Sequence, residues 1–192
     1  MSAASLKEAA GFIKTGAVGV IPTDTIYGIV CSALNKAAVE RLYRIRERNE
    51  HKPCIVLISD TVELERFGIV PDEPLKEALA RVWPGAVSVI LDCPDERFAH
   101  LHRGTKSLAF RVPDDENLRN FLRETGPLLA PSANPEGKPP ACTIAEARAY
   151  FGDPVDFYVD GGTLSNKPST LVSYQNGNIK VIRQGAGHIG FR

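Results

Sequence analysis

Broad charge is the first thing this chain lacks: 23 Lys and Arg balance 23 Asp and Glu over 192 residues, leaving zero net charge. Capture of nucleic acid by overall electrostatics is therefore excluded, and any polyanion must be met by a local patch. Cysteine is sparse as well. Cys31, Cys54, Cys93 and Cys142 stand far apart with no Cys-x-x-Cys pair, which points to reduced, mostly packed thiols and a cytosolic compartment. Of the four histidines only His100 and His102 are close, without a matching pair elsewhere, so surface histidines rather than metal ligands are expected. Neither a Walker lysine loop nor Gly-x-Gly-x-x-Gly occurs, which excludes the standard P-loop and Rossmann signatures. The absence of Gly-x-Ser-x-Gly removes the usual serine-hydrolase signal. No apolar run reaches membrane-spanning length, and Ser2, Lys7 and Glu8 give the N-terminus no signal-peptide pattern, so a cytoplasmic chain without membrane insertion is expected.

What remains is ordinary in balance, with 43% hydrophobic and 24% charged residues, enough to bury a core without disulfides. With no repeat, low-complexity tract or linker, residues 1–192 read as a single domain. Short β-branched runs predict strands at Ala17 to Ile21, Ile55 to Ser59, Val87 to Leu91, Leu108 to Val112, Phe157 to Val159, Leu171 to Tyr174 and Ile179 to Ile182. Helices are predicted at Leu6 to Ile13, Lys36 to Glu47, Pro74 to Val82, Glu116 to Arg123 and Ile144 to Phe151, the last opened by a Thr143–Glu146 capping box. The alternation makes an α/β or α+β fold. Asn176-Gly177 predicts a hairpin between the last two strands, and hence a mixed sheet.

Positive charge is concentrated from Arg41 to Lys52, where Arg41, Arg44, Arg46, Arg48 and Lys52 face two carboxylates. Ala38, Leu42 and Ile45 make one helical face, leaving Arg41 and Arg44 to solvent. Asn49, His51 and Pro53 weaken the helix, so Arg46 and Arg48 are expected in an extended exit, sharing one side as a pair of anion-binding forks. Further polar groups cap strand ends: Pro22 to Gly28, Ser107 to Pro113, Pro131 to Asn134 after the buried run Pro127 to Ala130, Lys167 to Thr170, and Arg183 to Gly185. Arg111 interrupts an apolar strand and needs a partner, either a ligand carboxylate or an internal acid. Trp83 reads as a packing anchor. Hydroxyls and cations without an acid–base dyad favour a polar cleft for an anionic ligand.

Taken in order, Pro-Thr-Asp-Thr-x-Tyr-Gly at 22–28, Arg-x-Arg at 46–48, Lys-Pro at 52–53, Trp-Pro-Gly at 83–85, Arg-Val-Pro at 111–113, Ser-Ala-Asn at 132–134, Pro-Ser-Thr at 168–170 and Arg-Gln-Gly at 183–185 resemble the YrdC/TsaC family of threonylcarbamoyl-AMP synthases. The resemblance covers nearly the whole chain. It implies the YrdC-like fold, a twisted mixed sheet with flanking helices around a large, concave, positively lined cavity. It also implies an enzyme that takes ATP, L-threonine and bicarbonate or CO2, releases pyrophosphate with Mg2+ carried by the triphosphate, and hands threonylcarbamoyl-AMP to a tRNA-modifying transfer complex. Carried over by position, Thr25, Arg111, Ser132 and Ser169 would hold threonine. Arg48, Lys52, Ser107, Asn134 and Arg183 would hold ATP, with Arg46 and Arg48 neutralising phosphate charge. Three positions depart from the family pattern: Arg46 replaces a lysine, Leu57 stands where some members have histidine, and Glu136 replaces a serine. A YciO-type relative with altered substrate use, or an RNA-binding module of the same fold using the basic patch, are the rival readings.

Overall fold

The computed structural model describes residues 5–175 and 177–189. Nine short strands carry the apolar runs: β1 (Gly19–Ile21), β2 (Gly28–Ser32), β3 (Ile55–Leu57), β4 (Val87–Asp92), β5 (Ser107–Arg111), β6 (Leu128–Leu129), β7 (Phe157–Tyr158), β8 (Thr170–Gln175) and β9 (Asn178–Arg183). They join one mixed, twisted sheet in the order β7-β1-β2-β6-β3-β5-β4-β8-β9. β3 runs parallel to β5, and β4 parallel to β8, while β5 and β4 are antiparallel. The expected hairpin is present as antiparallel β8 and β9 with Gln175 opposite Asn178; of its turn, Asn176 lies outside the described residues and Gly177 has φ 81°.

Helices are α1 (Leu6–Lys14), α2 (Lys36–Ile45), α3 (Glu73–Ala80), α4 (Ala99–His102), α5 (Glu116–Thr125) and α6 (Ile144–Phe151), with a 3-10 segment at Thr61–Phe67. Side-chain oxygens cap most of them: Ser5 and Glu8 make a reciprocal capping box on α1, and Asn35, Asp72 and Asp115 receive first-turn N–H groups. At α6 the expected box is only half formed. Thr143 caps Glu146 N–H, but the Glu146 carboxylate accepts from Cys142 N–H instead.

Because successive strand residues face opposite ways, Val20, Ile29 and Val56 bury against one layer, which includes Val39 and Leu42 of α2, while Ile21, Val30 and Leu57 bury against α1 and α5. The α1 side is sealed at the sheet edge by Phe157, which stacks on Phe12 with ring centroids 5.6 Å apart. Its ring lies where a side chain on Gly19 would be: a Cβ there would sit 2.1 Å from Phe157 Cζ. Trp83 is the anchor expected, its Nε1 donating to the Val87 carbonyl at 2.7 Å. No helix among the described residues is long and apolar enough to cross a membrane.

Three expectations fail on packing. Arg41 is not free in solvent: still 35% exposed, its guanidinium forks onto Asp156 at 2.6 and 2.9 Å and donates to the Pro154 carbonyl. His102 is buried rather than at the surface, with Nδ1 accepting from Gly104 N–H at 3.1 Å. The exit of α2 is not extended. Arg46 is still helical, with φ −83° and ψ −4°, and the chain reverses through Glu47 at φ 51° before Arg48.

Candidate functional site

On the same face of the sheet as α1 and α5, beside the buried Leu57, the half-buried Ile55, Ala109 and Ile90 of β3, β5 and β4 line a cavity of about 420 Å3. That size suits a small-molecule ligand. Its polar lining comes from the strand-end segments. Thr25, Arg46, Arg48, Ser107, Arg111, Ser132, Ser169 and Arg183 all line it, whereas Lys52 and Asn134 do not. Among the described residues that line it there are four arginines and no aspartate or glutamate, so the interior presents a concentrated positive field.

The turn after β1 is built by one hydroxyl. Thr23 Oγ1 donates to the Ile26 carbonyl at 2.6 Å and accepts from Thr25 and Ile26 N–H, which fixes Thr25 inward. Thr25 Oγ1 then receives Arg111 Nη1 at 3.1 Å. The partner Arg111 required is an internal acid: Nη2 is bonded to Asp24, whose other oxygen accepts Asp114 N–H at 3.1 Å. Burial pulls the Arg111 pKa down while Asp24 opposes that pull, and Nε is left without a protein partner. Asp24 is thus a site residue to which the sequence reading gave no role. Its signal was present, as the one acid in a hydroxyl-rich strand-end segment.

Ser132 is set beside this turn by main-chain bonds: Ile29 N–H donates to Pro131 O and Ala133 N–H to Tyr27 O, with a bridge between Gly28 and Ser132. Ser169 is 3% exposed and shares a 2.9 Å hydrogen bond with Ser88. Arg183 Nη2 donates to the Ser169 carbonyl at 3.0 Å, and a side chain at Gly185 would meet Pro168 O at 2.1 Å, so the end of β9 is clamped against this corner. Ser107 reaches Thr105 Oγ1 at 3.4 Å.

Arg46 is the structural surprise. It is 2% exposed, its Nε donates to Asn134 O at 2.9 Å, and Nη2 reaches Ser132 Oγ and Asn134 Oδ1 at 3.4 and 3.5 Å. Burial lowers its pKa, and Nη1 has no protein partner. Asn134 therefore stands behind Arg46, with its amide nitrogen spent on Pro135 O and Lys138 O, both at 2.8 Å. At the mouth, Arg48 donates to Lys52 O and Pro53 O, and Lys52 Nζ turns away from the cavity to Glu136 at 2.6 Å. The two arginines do reach one cavity, by a left-handed reversal and not by extension. Among the described residues no group of three His, Cys, Asp or Glu could hold a metal.

The chain is similar to known proteins in both sequence and fold. The threonylcarbamoyl-AMP synthase of Bacillus subtilis is 35% identical over 184 residues, covering 94% of this chain and 53% of the relative. That of Marinobacter nauticus is 35% identical over 170 residues, covering 86% and 88%. Among solved structures, P. abyssi Sua5 complexed with L-threonine superposes with a TM-score of 0.83 at 27% identity, over 94% of this chain and 54% of that one. E. coli YciO gives 0.82 at 27%, over 96% and 90%. The chain thus spans about half the length of the Bacillus synthase and of Sua5, and most of the Marinobacter synthase and YciO. A family model for Sua5, YciO and YrdC, described as "Telomere recombination", matches residues 11–185, and the chain belongs to that family.

Proposed function

We propose that this chain is a threonylcarbamoyl-AMP synthase. The observation that carries the reading is a cavity whose lining joins four guanidinium groups to the hydroxyls of Thr25, Ser132 and Ser169, with the Asp24 carboxylate behind the lining and paired to Arg111. Threonine's amine adds to the carbon of CO2 and gives up a proton to solvent, or condenses with bicarbonate and releases water, to form a carbamate. A carbamate oxygen attacks the α-phosphorus of ATP, the bond to the β-phosphate oxygen breaks, and pyrophosphate leaves. Nothing in that step demands a protein nucleophile. Positioning and stabilisation of phosphoryl charge supply the rate, which is what fixed guanidinium groups in a partly desolvated cavity provide.

In this reading Thr25, Arg111, Ser132 and Ser169 surround the amino acid, and Arg48, Ser107 and Arg183 the nucleotide. Arg46 meets the phosphates through its unpartnered Nη1, with Asn134 holding it in place. Mg2+ would enter on the triphosphate. The product goes to a tRNA-modifying transfer complex in the cytoplasm. The similarity to proteins named as synthases supports this assignment, while Sua5 and YciO superpose equally well and do not separate it from the YciO-type alternative.

The test is pyrophosphate release from ATP, with each substrate omitted in turn and threonylcarbamoyl-AMP detected directly. Release should require threonine and bicarbonate together, because the attacking oxygen exists only in the carbamate. Serine, lacking the methyl group, should be poorer by roughly 1–3 kcal/mol in transition-state binding. Equal release without threonine rejects the assignment.

A further inference from the structure

Glu136 replaces a serine of the family pattern, and its surroundings show what the change does. One carboxylate oxygen accepts Lys52 Nζ at 2.6 Å and the other accepts Asn49 N–H at 2.6 Å, while its own N–H donates to the Arg46 carbonyl at 2.9 Å. The bond from Lys52, then that from Asn49, holds this carboxyl at about 2, far below its ordinary value, and Arg48 adds to the effect. An ammonium, a free main-chain N–H and a nearby guanidinium form an anion cradle of the kind that receives phosphoryl oxygens. Here a carboxylate from the same chain fills it.

We propose that Glu136 is an internal competitor for a phosphate subsite at the cavity mouth: its carboxylate occupies the Lys52–Asn49 cradle, and a polyphosphate tail binds there only by displacing it. This rests on the reading of the cavity as an ATP site, although the displacement itself needs only a polyanion. The contact is suited to exchange, because the Lys52 and Glu136 side chains are 58% and 28% exposed and a polyphosphate brings more charge than one carboxylate. As a tethered rival, Glu136 lowers apparent affinity by the fraction of molecules in which the cradle is open. By the same token its return drives pyrophosphate out after the reaction. The residue tunes tail binding and product release without touching the reacting atoms.

The experiment is calorimetric titration with inorganic tripolyphosphate of the wild type, Glu136→Gln, Lys52→Ala, the Glu136→Gln/Lys52→Ala double variant and Glu77→Gln, an exposed control on α3, each first checked for folding by thermal melting. Glu136→Gln should bind tripolyphosphate roughly three- to ten-fold more tightly than wild type. Glu77→Gln should not, and the gain should vanish in the double variant. Unchanged or weaker binding by a folded Glu136→Gln, or no binding by either wild type or Glu136→Gln, overturns the proposal. So does a gain that survives loss of Lys52. The two readings fail separately: tighter tripolyphosphate binding without pyrophosphate release from ATP keeps the competitor and rejects the synthase, and product formation without the gain does the reverse.

Discussion

The inner wall and the mouth of the cavity each hold a cation against a carboxylate, yet the two contacts obey different physics. At the wall Arg111 and Asp24 are 4% and 8% exposed, and the pair is locked by Thr25 and by Asp114 N–H. At the mouth Lys52 and Glu136 are 58% and 28% exposed, so the pair is open to solvent on the lysine side. Desolvated charges must stay paired, because separating them inside the protein is costly, whereas an exposed pair exchanges partners at little cost. The wall is therefore architecture that faces the cavity, and the mouth is the part whose contact can exchange.

The largest effect should come from breaking the wall. Arg111→Ala strands Asp24 and is expected to destabilise the protein by about 3–5 kcal/mol, read by urea denaturation. The double variant Asp24→Ala/Arg111→Ala should recover much of that stability while threonine binding stays lost. Recovery of neither would show that the pair is not the unit described.

Arg46 lies between the two extremes and sharpens the contrast. Arg46→Ala leaves the Asn134 carbonyl and side-chain oxygen without their charged donor and should cost about 2 kcal/mol of stability. Arg46→Lys keeps the charge but not the fork, so denaturation should place it between wild type and alanine. A wild-type midpoint for Arg46→Ala would move this residue into the exposed class.

The smallest effect belongs to the mouth and is read by pH. With the Glu136 carboxyl held at about 2 against an ordinary 4.5, the folded state binds the proton less readily than the unfolded one. Its contribution to stability is complete above about 4.5 and fades as pH falls toward 2. An NMR titration of the Glu136 side-chain carboxyl should therefore show a midpoint near 2, and a midpoint near 4.5 would dissolve the latch.

These differences explain what the sequence could disclose. The start and end of α6 and the start of α5 match expectation, because capping residues and apolar period are local signals. β2 escaped notice, since Gly28 to Ser32 follows a turn-rich motif and is buried on both faces, leaving no alternation to read. Eight of the ten expected site residues meet in one cavity, six of them because they stand at or beside strand ends and Arg46 and Arg48 because they leave α2 there. The pairing of Arg111 with Asp24 joins residues 87 apart, and the Lys52 contact with Glu136 spans 84, so neither could be seen in a local pattern. Sheet order, with β6 inserted between β2 and β3, is equally non-local.

The empty place at Gly19 under the Phe157 ring has a meaning for descent as well as for packing. Enlarging Gly19 first drives a methyl group into an aromatic ring, whereas shrinking Phe157 first opens a void that a side chain at Gly19 can then fill. The cost of changing both thus depends on the order of the steps: a path that begins at Phe157 passes through a void, and one that begins at Gly19 passes through a clash.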